Sequence, residues 1–274
     1  MENNLRIDVR EILKVKNPAI EKRTPAFLIK YLEKIIHQDD LNEILSRFGH
    51  LNDNEFIKPT LEFMGIKYRS FGTENIPLNG RYIFASNHPL GGLDGLVFIN
   101  EVSKIFPNVK FPVNDILLNL KNMTGIFLPV NKFGMQDRNA VRIMDDAFAS
   151  DDQILYFPAG ICSRRRRGRI SDIEWHKSFI AKAIKHKRDV IPVYFSGKNS
   201  RFFYRLANLR NWLGIKTNIE MLYLADEMFK QKYKEIFLVF GKPVAWQTFD
   251  NSQSPSYWAA LMRKKSYELA PTAR

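Results

Sequence analysis

The chain has 274 residues, 26% charged, 45% hydrophobic and 13% aromatic, a composition that fits a globular protein and excludes collagen-like, coiled-coil and disordered chains. Its 42 Lys and Arg outnumber 29 Asp and Glu, giving a formal charge of +13, and residues 157–216 hold 15 of the cations against three acids, Asp172, Glu174 and Asp189. Such a basic stretch attracts an anionic partner: a phosphate-bearing substrate, an acidic carrier protein, an anionic bilayer or nucleic acid.

Residues 1–66 read as a helical N-terminal region. Thr24 is the expected N-cap of a helix in which Pro25 is followed by Phe27, Leu28, Tyr31, Leu32, Ile35 and Ile36 at helical spacing, and a further helix is expected near 54–64. From Lys67 onward, residues 67–274 change to short β-rich runs at 82–87, 109–113, 125–130, 153–158, 190–195 and 236–241. Several runs are continuously apolar, as strands covered on both faces are. Helical patterns at 93–105, 134–149, 171–187 and 201–213 separate them, which predicts an α/β fold. Ser171 and Glu174 form a capping-box signature for the third of these helices.

A single cysteine, Cys162, excludes an intramolecular disulfide, and MENNLRIDVREIL at the N-terminus lacks the basic-then-apolar pattern of a signal peptide. The expected compartment is therefore reducing and cytoplasmic. No apolar stretch reaches the roughly 18 residues that a transmembrane helix needs, so any membrane attachment is expected to be peripheral, on the inner face of the cell membrane.

The segment RYIFASNHPLGGLDGLVFI concentrates the chemistry. An apolar run ends at Asn87-His88, Gly91 and Gly92 permit a tight turn, and Asp94 opens a helical pattern. Asp94 is placed to return across the turn and hold one ring nitrogen of His88, leaving the other to take a proton from an attacking hydroxyl. The same residues also suit a plain turn followed by a helix cap.

NHPLGGLD resembles the first block of the glycerolipid acyltransferase family, the lysophosphatidic-acid-acyltransferase-like enzymes that move an acyl chain from a thioester to a lipid alcohol. Three further blocks stand in the family's order: GIFLPVNK at 125–132, FPAGICSR at 157–164 and VIPVYF at 190–195. The resemblance spans about residues 70–245 and implies a mixed, largely buried sheet flanked by helices, making 67–274 an acyltransferase domain behind the helical region 1–66. It also implies His88 and Asp94 as the catalytic pair, and Gly160, Ser163, Arg164 and Lys132 on the acceptor side. Two departures stand out. Five residues separate His88 from Asp94 where the family has four, and Ala159 and Cys162 replace the Glu and Arg associated with the acceptor's glycerol-phosphate end. The extended flanks, GTENIPLNGRYIFASNHPLGGLDG and SRRRRGRISDIEWHKSFIAKA, look most like a bacterial branch of hemolysin-like proteins that includes O-acyltransferases of amino-acid-containing lipids. A monoacylated aminolipid, such as an N-acylated glycine or ornithine derivative, is thus an expected acceptor beside a lysolipid.

The implied donor is an acyl-carrier protein or coenzyme A thioester, with no tightly bound cofactor and no metal. Arg165, Arg166, Arg167 and Arg169, with Arg201 and Arg205 in the aromatic-rich run 198–213, are expected to meet an anionic membrane surface or the acyl carrier. Nucleic acid is disfavoured, since no recognised binding motif accompanies the charge. Cys162, beside the arginine run, leaves open an acyl-cysteine route. The competing reading is a non-catalytic basic module that binds membranes or nucleic acid on an acyltransferase-like fold.

Overall fold

A computed structural model describes residues 6–114, 117–130 and 138–271. Helices come first: α1 (Val9–Lys16), α2 (Pro18–Arg23), α3 (Ala26–Ile35), α4 (Gln38–Phe48) and α5 (Asp53–Phe63). Strands and helices then alternate as β1 (Lys67–Phe71), β2 (Tyr82–Ser86), α6 (Gly92–Val102), β3 (Val109–Val113), β4 (Phe127–Pro129), α7 (Arg138–Ala149) and β5 (Gln153–Tyr156). A hairpin follows, β6 (Arg164–Arg166) and β7 (Arg169–Ser171), and then α8 (Ser178–His186), β8 (Asp189–Phe195), α9 (Arg201–Trp212), α10 (Leu224–Phe229), β9 (Glu235–Phe240) and α11 (Pro255–Glu268).

Among the described residues, seven strands form one sheet in the order β1-β9-β8-β2-β5-β3-β4. Neighbours run parallel except where β8 meets β9. Every residue of the central strand β2 is buried. Tyr82 and Phe84 pack into one apolar cluster with Phe56 of α5 and Phe98 of α6, whereas Ile83 and Ala85 pack into a second with Phe179 of α8 and Met262 of α11. That two-sided burial is why the run lacks polar alternation, and each large side chain so enclosed contributes about 1.5–3 kcal/mol. Helices α4 and α5 join the first cluster through Ile44, Leu45 and Ile57, so they share a core with the sheet.

Three expectations need correction. The third helix begins at Ser178, and Ser171 ends β7 instead of capping it, because the arginine run folds back as an antiparallel hairpin with left-handed residues at Arg167 (φ 48°) and Gly168 (φ 80°). Helix α3 begins at Ala26, with Pro25 and not Thr24 in the capping position. Finally, the basic stretch does not lie wholly on the surface: Arg164, Arg188 and Arg210 are buried.

Arg188 shows what an interior guanidinium does. It donates to the carbonyls of Phe148 (2.7 Å), Asp152 (2.7 Å) and Ala147 (3.4 Å) and to that of Ser150, capping the carboxyl end of α7, where helical carbonyls lack partners. Burial, reinforced by the Arg81 cation, lowers its pKa to about 10, which leaves it charged at neutral pH. Replacing it with a similarly long apolar chain, Arg188→Met, should cost about 3 kcal/mol by stranding the Phe148 and Asp152 carbonyls. Thermal unfolding reads the loss, and an unchanged Tm would contradict this role.

Candidate active site

Strand β2 stops at Ser86, and Asn87 continues its ladder with a side chain. The Asn87 amide donates to the Phe195 carbonyl (2.8 Å) and accepts from the Phe195 N–H (2.6 Å) at the end of β8. His88 follows at the carboxyl edge of the adjacent parallel strands β8, β2 and β5, where open α/β sheets place their ligands. Asp94 lies in the first turn of α6, fully buried. Its Oδ2 accepts from the Leu90 N–H (2.8 Å), the Gly91 N–H (3.2 Å) and His88 Nδ1 (3.0 Å). The longer spacing between the pair is accommodated by the turn through Gly91 at φ 88°. A Cβ there would sit 3.0 Å from a Leu224 methyl and 3.3 Å from Cys162 Sγ, so the site closes tightly over this glycine.

Because Asp94 Oδ2 already takes two backbone donors, His88 Nδ1 is the donor in their contact, and the neutral imidazole carries its lone pair on Nε2. The ring stacks on Phe157 just beyond β5, with centroids 4.1 Å apart and planes 16° from parallel. Burial alone would lower the imidazole pKa, but the neighbouring Cys162 sulfur and the Asp94 carboxylate outweigh it and raise it from 6.5 to about 10. Burial likewise pushes the Asp94 carboxyl up, against the pull of His88 and the two backbone donors.

The third block packs beside this pair. Ala159 is buried in the second apolar cluster, and Gly160 turns at φ 65° on the surface. Cys162 is buried against His88, so the thiol expected beside a basic run is also beside a base. Ser163 is buried too, and its hydroxyl donates to Asp172 Oδ1 (2.6 Å). Arg164 turns inward, donating to the Cys162 carbonyl (2.8 Å) and pairing with buried Glu220 (2.9 Å), which also pairs with Arg210 (2.9 Å). The guanidinium expected to meet the acceptor's anionic end is thus already held inside the chain. Arg165, Arg166, Arg167 and Arg169 of the hairpin, and Arg201 and Arg205 of α9, are exposed. Lys132 lies outside the described residues. Phe157, Asp172 and Glu220 were not singled out by sequence. Phe157 stood inside the third block, whereas the two carboxylates carry no local signal. Among the described residues no group of three or more His, Cys, Asp or Glu is placed to hold a metal ion.

The acyltransferase family model matches residues 11–273. The chain belongs to the acyltransferase family. Two relatives of this acyltransferase carry the name lyso-glycine lipid O-acyltransferase. The one from Bacteroides thetaiotaomicron is 47% identical over 264 residues, covering 96% of this chain and 97% of its own. The one from Phocaeicola vulgatus is 45% identical over 264 residues, covering 96% and 95%. The crystal structure of the 1-acyl-sn-glycerophosphate (LPA) acyltransferase PlsC from Thermotoga maritima shares the fold, with a TM-score of 0.50 at 15% identity over 97% of this chain and 98% of that one. The mixed, helix-flanked sheet expected from sequence is therefore the one found, and family membership removes the support for a non-catalytic module.

The brace on His88 has a direct spectroscopic consequence. Its ring signals should titrate above the ordinary imidazole value of 6.5, and Asp94→Asn should move that titration down by removing the carboxylate that favours the cation. A wild-type His88 titrating at or below 6.5 would contradict the geometry's electrostatics.

Proposed function

We propose that this acyltransferase esterifies the free hydroxyl of a monoacylated glycine lipid, with His88 as general base and Asp94 as its orienting partner. The observation that carries the reading is the His88 Nδ1–Asp94 Oδ2 contact of 3.0 Å in a chain whose full-length relatives are named lyso-glycine lipid O-acyltransferases. Ala159 and Cys162, in place of the Glu and Arg associated with the glycerol-phosphate end, suit an acceptor that lacks a glycerol phosphate.

The chemistry is a direct transfer from an acyl-carrier protein or coenzyme A thioester. Nε2 removes the acceptor hydroxyl proton as the oxygen attacks the thioester carbonyl. The new C–O bond forms, the tetrahedral intermediate collapses with cleavage of the C–S bond, and the imidazolium returns its proton to the leaving thiolate. Asp94 holds the ring and stabilises its cationic form at that moment. Since the base must be neutral and its pKa is raised, kcat/KM should climb with pH above 6.5.

The surface supports an anionic bilayer as the place where acceptor is met. Among the described residues no helix is long and apolar enough to cross a membrane. Instead, Phe27, Leu28 and Tyr31 of α3 and Phe202, Leu209 and Trp212 of α9 are exposed. Tyr223 joins the two sets, hydrogen-bonded to Tyr31 (2.8 Å) and in edge contact with Phe202 (ring centroids 4.9 Å apart), over a cleft of about 300 Å³. Exposed Arg201 and Arg205 flank this apolar rim, and the arginine hairpin adjoins α9, where Arg164 lies 5.6 Å from the Phe203 ring.

His88→Ala should lower turnover of lyso-glycine lipid by about 100-fold or more while the protein still sediments with phosphatidylglycerol vesicles. Wild-type turnover in that variant would exclude His88 as the base. Cys162→Ala separates direct from covalent transfer. Direct transfer predicts turnover within about threefold of wild type and a rate profile moved to lower pH, whereas an acyl-cysteine relay predicts its loss. Trp212→Ala should weaken vesicle binding several-fold, and unchanged binding would remove α9 from the membrane face.

A further inference from the structure

The backbone of His88 has left the sheet, so its N–H and C=O need partners that no strand supplies. Asp172 Oδ1 accepts the His88 N–H (3.2 Å), and the Ser163 N–H donates to the His88 carbonyl (2.7 Å). Ser163 closes the ring, because its hydroxyl donates to the same Asp172 oxygen (2.6 Å). The other carboxylate oxygen, Oδ2, accepts from Trp175 Nε1 (2.9 Å). The aspartate is itself anchored from α11: its N–H donates to the Tyr267 hydroxyl (2.7 Å), and its carbonyl accepts from Arg263 (2.7 Å). Only 4% of it is exposed, and both of its oxygens are engaged.

We propose that Asp172 is a positioning residue for acyl transfer: its carboxylate fixes the peptide of His88 and the Ser163 loop in one register and so aims the imidazole at the acceptor hydroxyl. The inference rests on His88 being the base. Asp94 sets the ring's tautomer and tilt from below, but the direction of the Cα–Cβ bond is set by the backbone, and the Asp172–Ser163 ring is what holds that backbone. Bonds to a charged acceptor are the stronger kind, and a misplacement of about 1 Å at a reacting atom costs on the order of 100-fold in rate. Asp172 touches neither the ring nor the proton, so it should act on rate without setting the pKa. Ser163 thereby serves this framework through both its N–H and its hydroxyl.

The test compares Asp172→Asn, Ser163→Ala and His88→Ala in one assay with lyso-glycine lipid and acyl-carrier-protein thioester, reading kcat, KM for the acceptor, the acid limb of the rate profile and Tm. An asparagine cannot accept from all three donors, so Asp172→Asn should lower kcat roughly 10- to 100-fold with acceptor KM within about threefold and the acid limb unmoved. Ser163→Ala, which removes one donor and nothing from the core's bulk, should lower kcat about 3- to 10-fold with the same split, and it decides the matter if the asparagine variant fails to fold. Wild-type kcat in either folded variant, or a loss expressed in KM, overturns the positioning role. Wild-type turnover in His88→Ala would instead sink the reading on which it rests.

Discussion

Three donors converge on one carboxylate oxygen. Asp94 Oδ2 receives two backbone N–H groups from the turn that precedes it and the Nδ1–H of His88 from the end of the neighbouring strand. The two backbone donors belong to the entry of α6, so the same contacts that start the helix also aim the carboxylate and favour its charged form against the penalty of burial. Folding the first turn of α6 therefore brings the Asp94 carboxylate to the His88 ring. Burial penalises this carboxylate, and His88 and the two backbone donors offset part of that penalty.

Much of this was legible from local pattern. The central strands appear in the sequence as runs buried on two faces, and the His88–Asp94 pair follows from a strand end, two glycines and a helix start. The arginine hairpin was misread because Ser171 and Glu174 mimic a helix cap over a short span, whereas the hairpin depends on residues 167 and 168 adopting left-handed conformations. Asp172 was invisible for a different reason. It meets His88 from 84 residues away, and its partners share no spacing that sequence could display. Arg164, expected on the acceptor side, shows the same limit: it pairs with Glu220, 56 residues downstream, a partner that no local pattern displays.

Charge thus divides into two populations with different uses. Arg164, Arg188 and Arg210 are interior groups that pair with carboxylates or carbonyls. Arg165, Arg166, Arg167, Arg169, Arg201 and Arg205 are exposed. Net charge alone does not distinguish these, and only the second population is available to a bilayer or an acidic carrier. In the function proposed above, lipid is met near α3 and α9 and reacts at the carboxyl edge of β2.

The account is tested most directly by a crystal structure of the acyltransferase with a lyso-glycine lipid and a non-cleavable thioester analogue. It predicts the acceptor hydroxyl within about 2.6–3.2 Å of His88 Nε2 and in line with the donor carbonyl. A hydroxyl bound out of reach of that nitrogen, with the donor carbonyl beside another nucleophile, would contradict it.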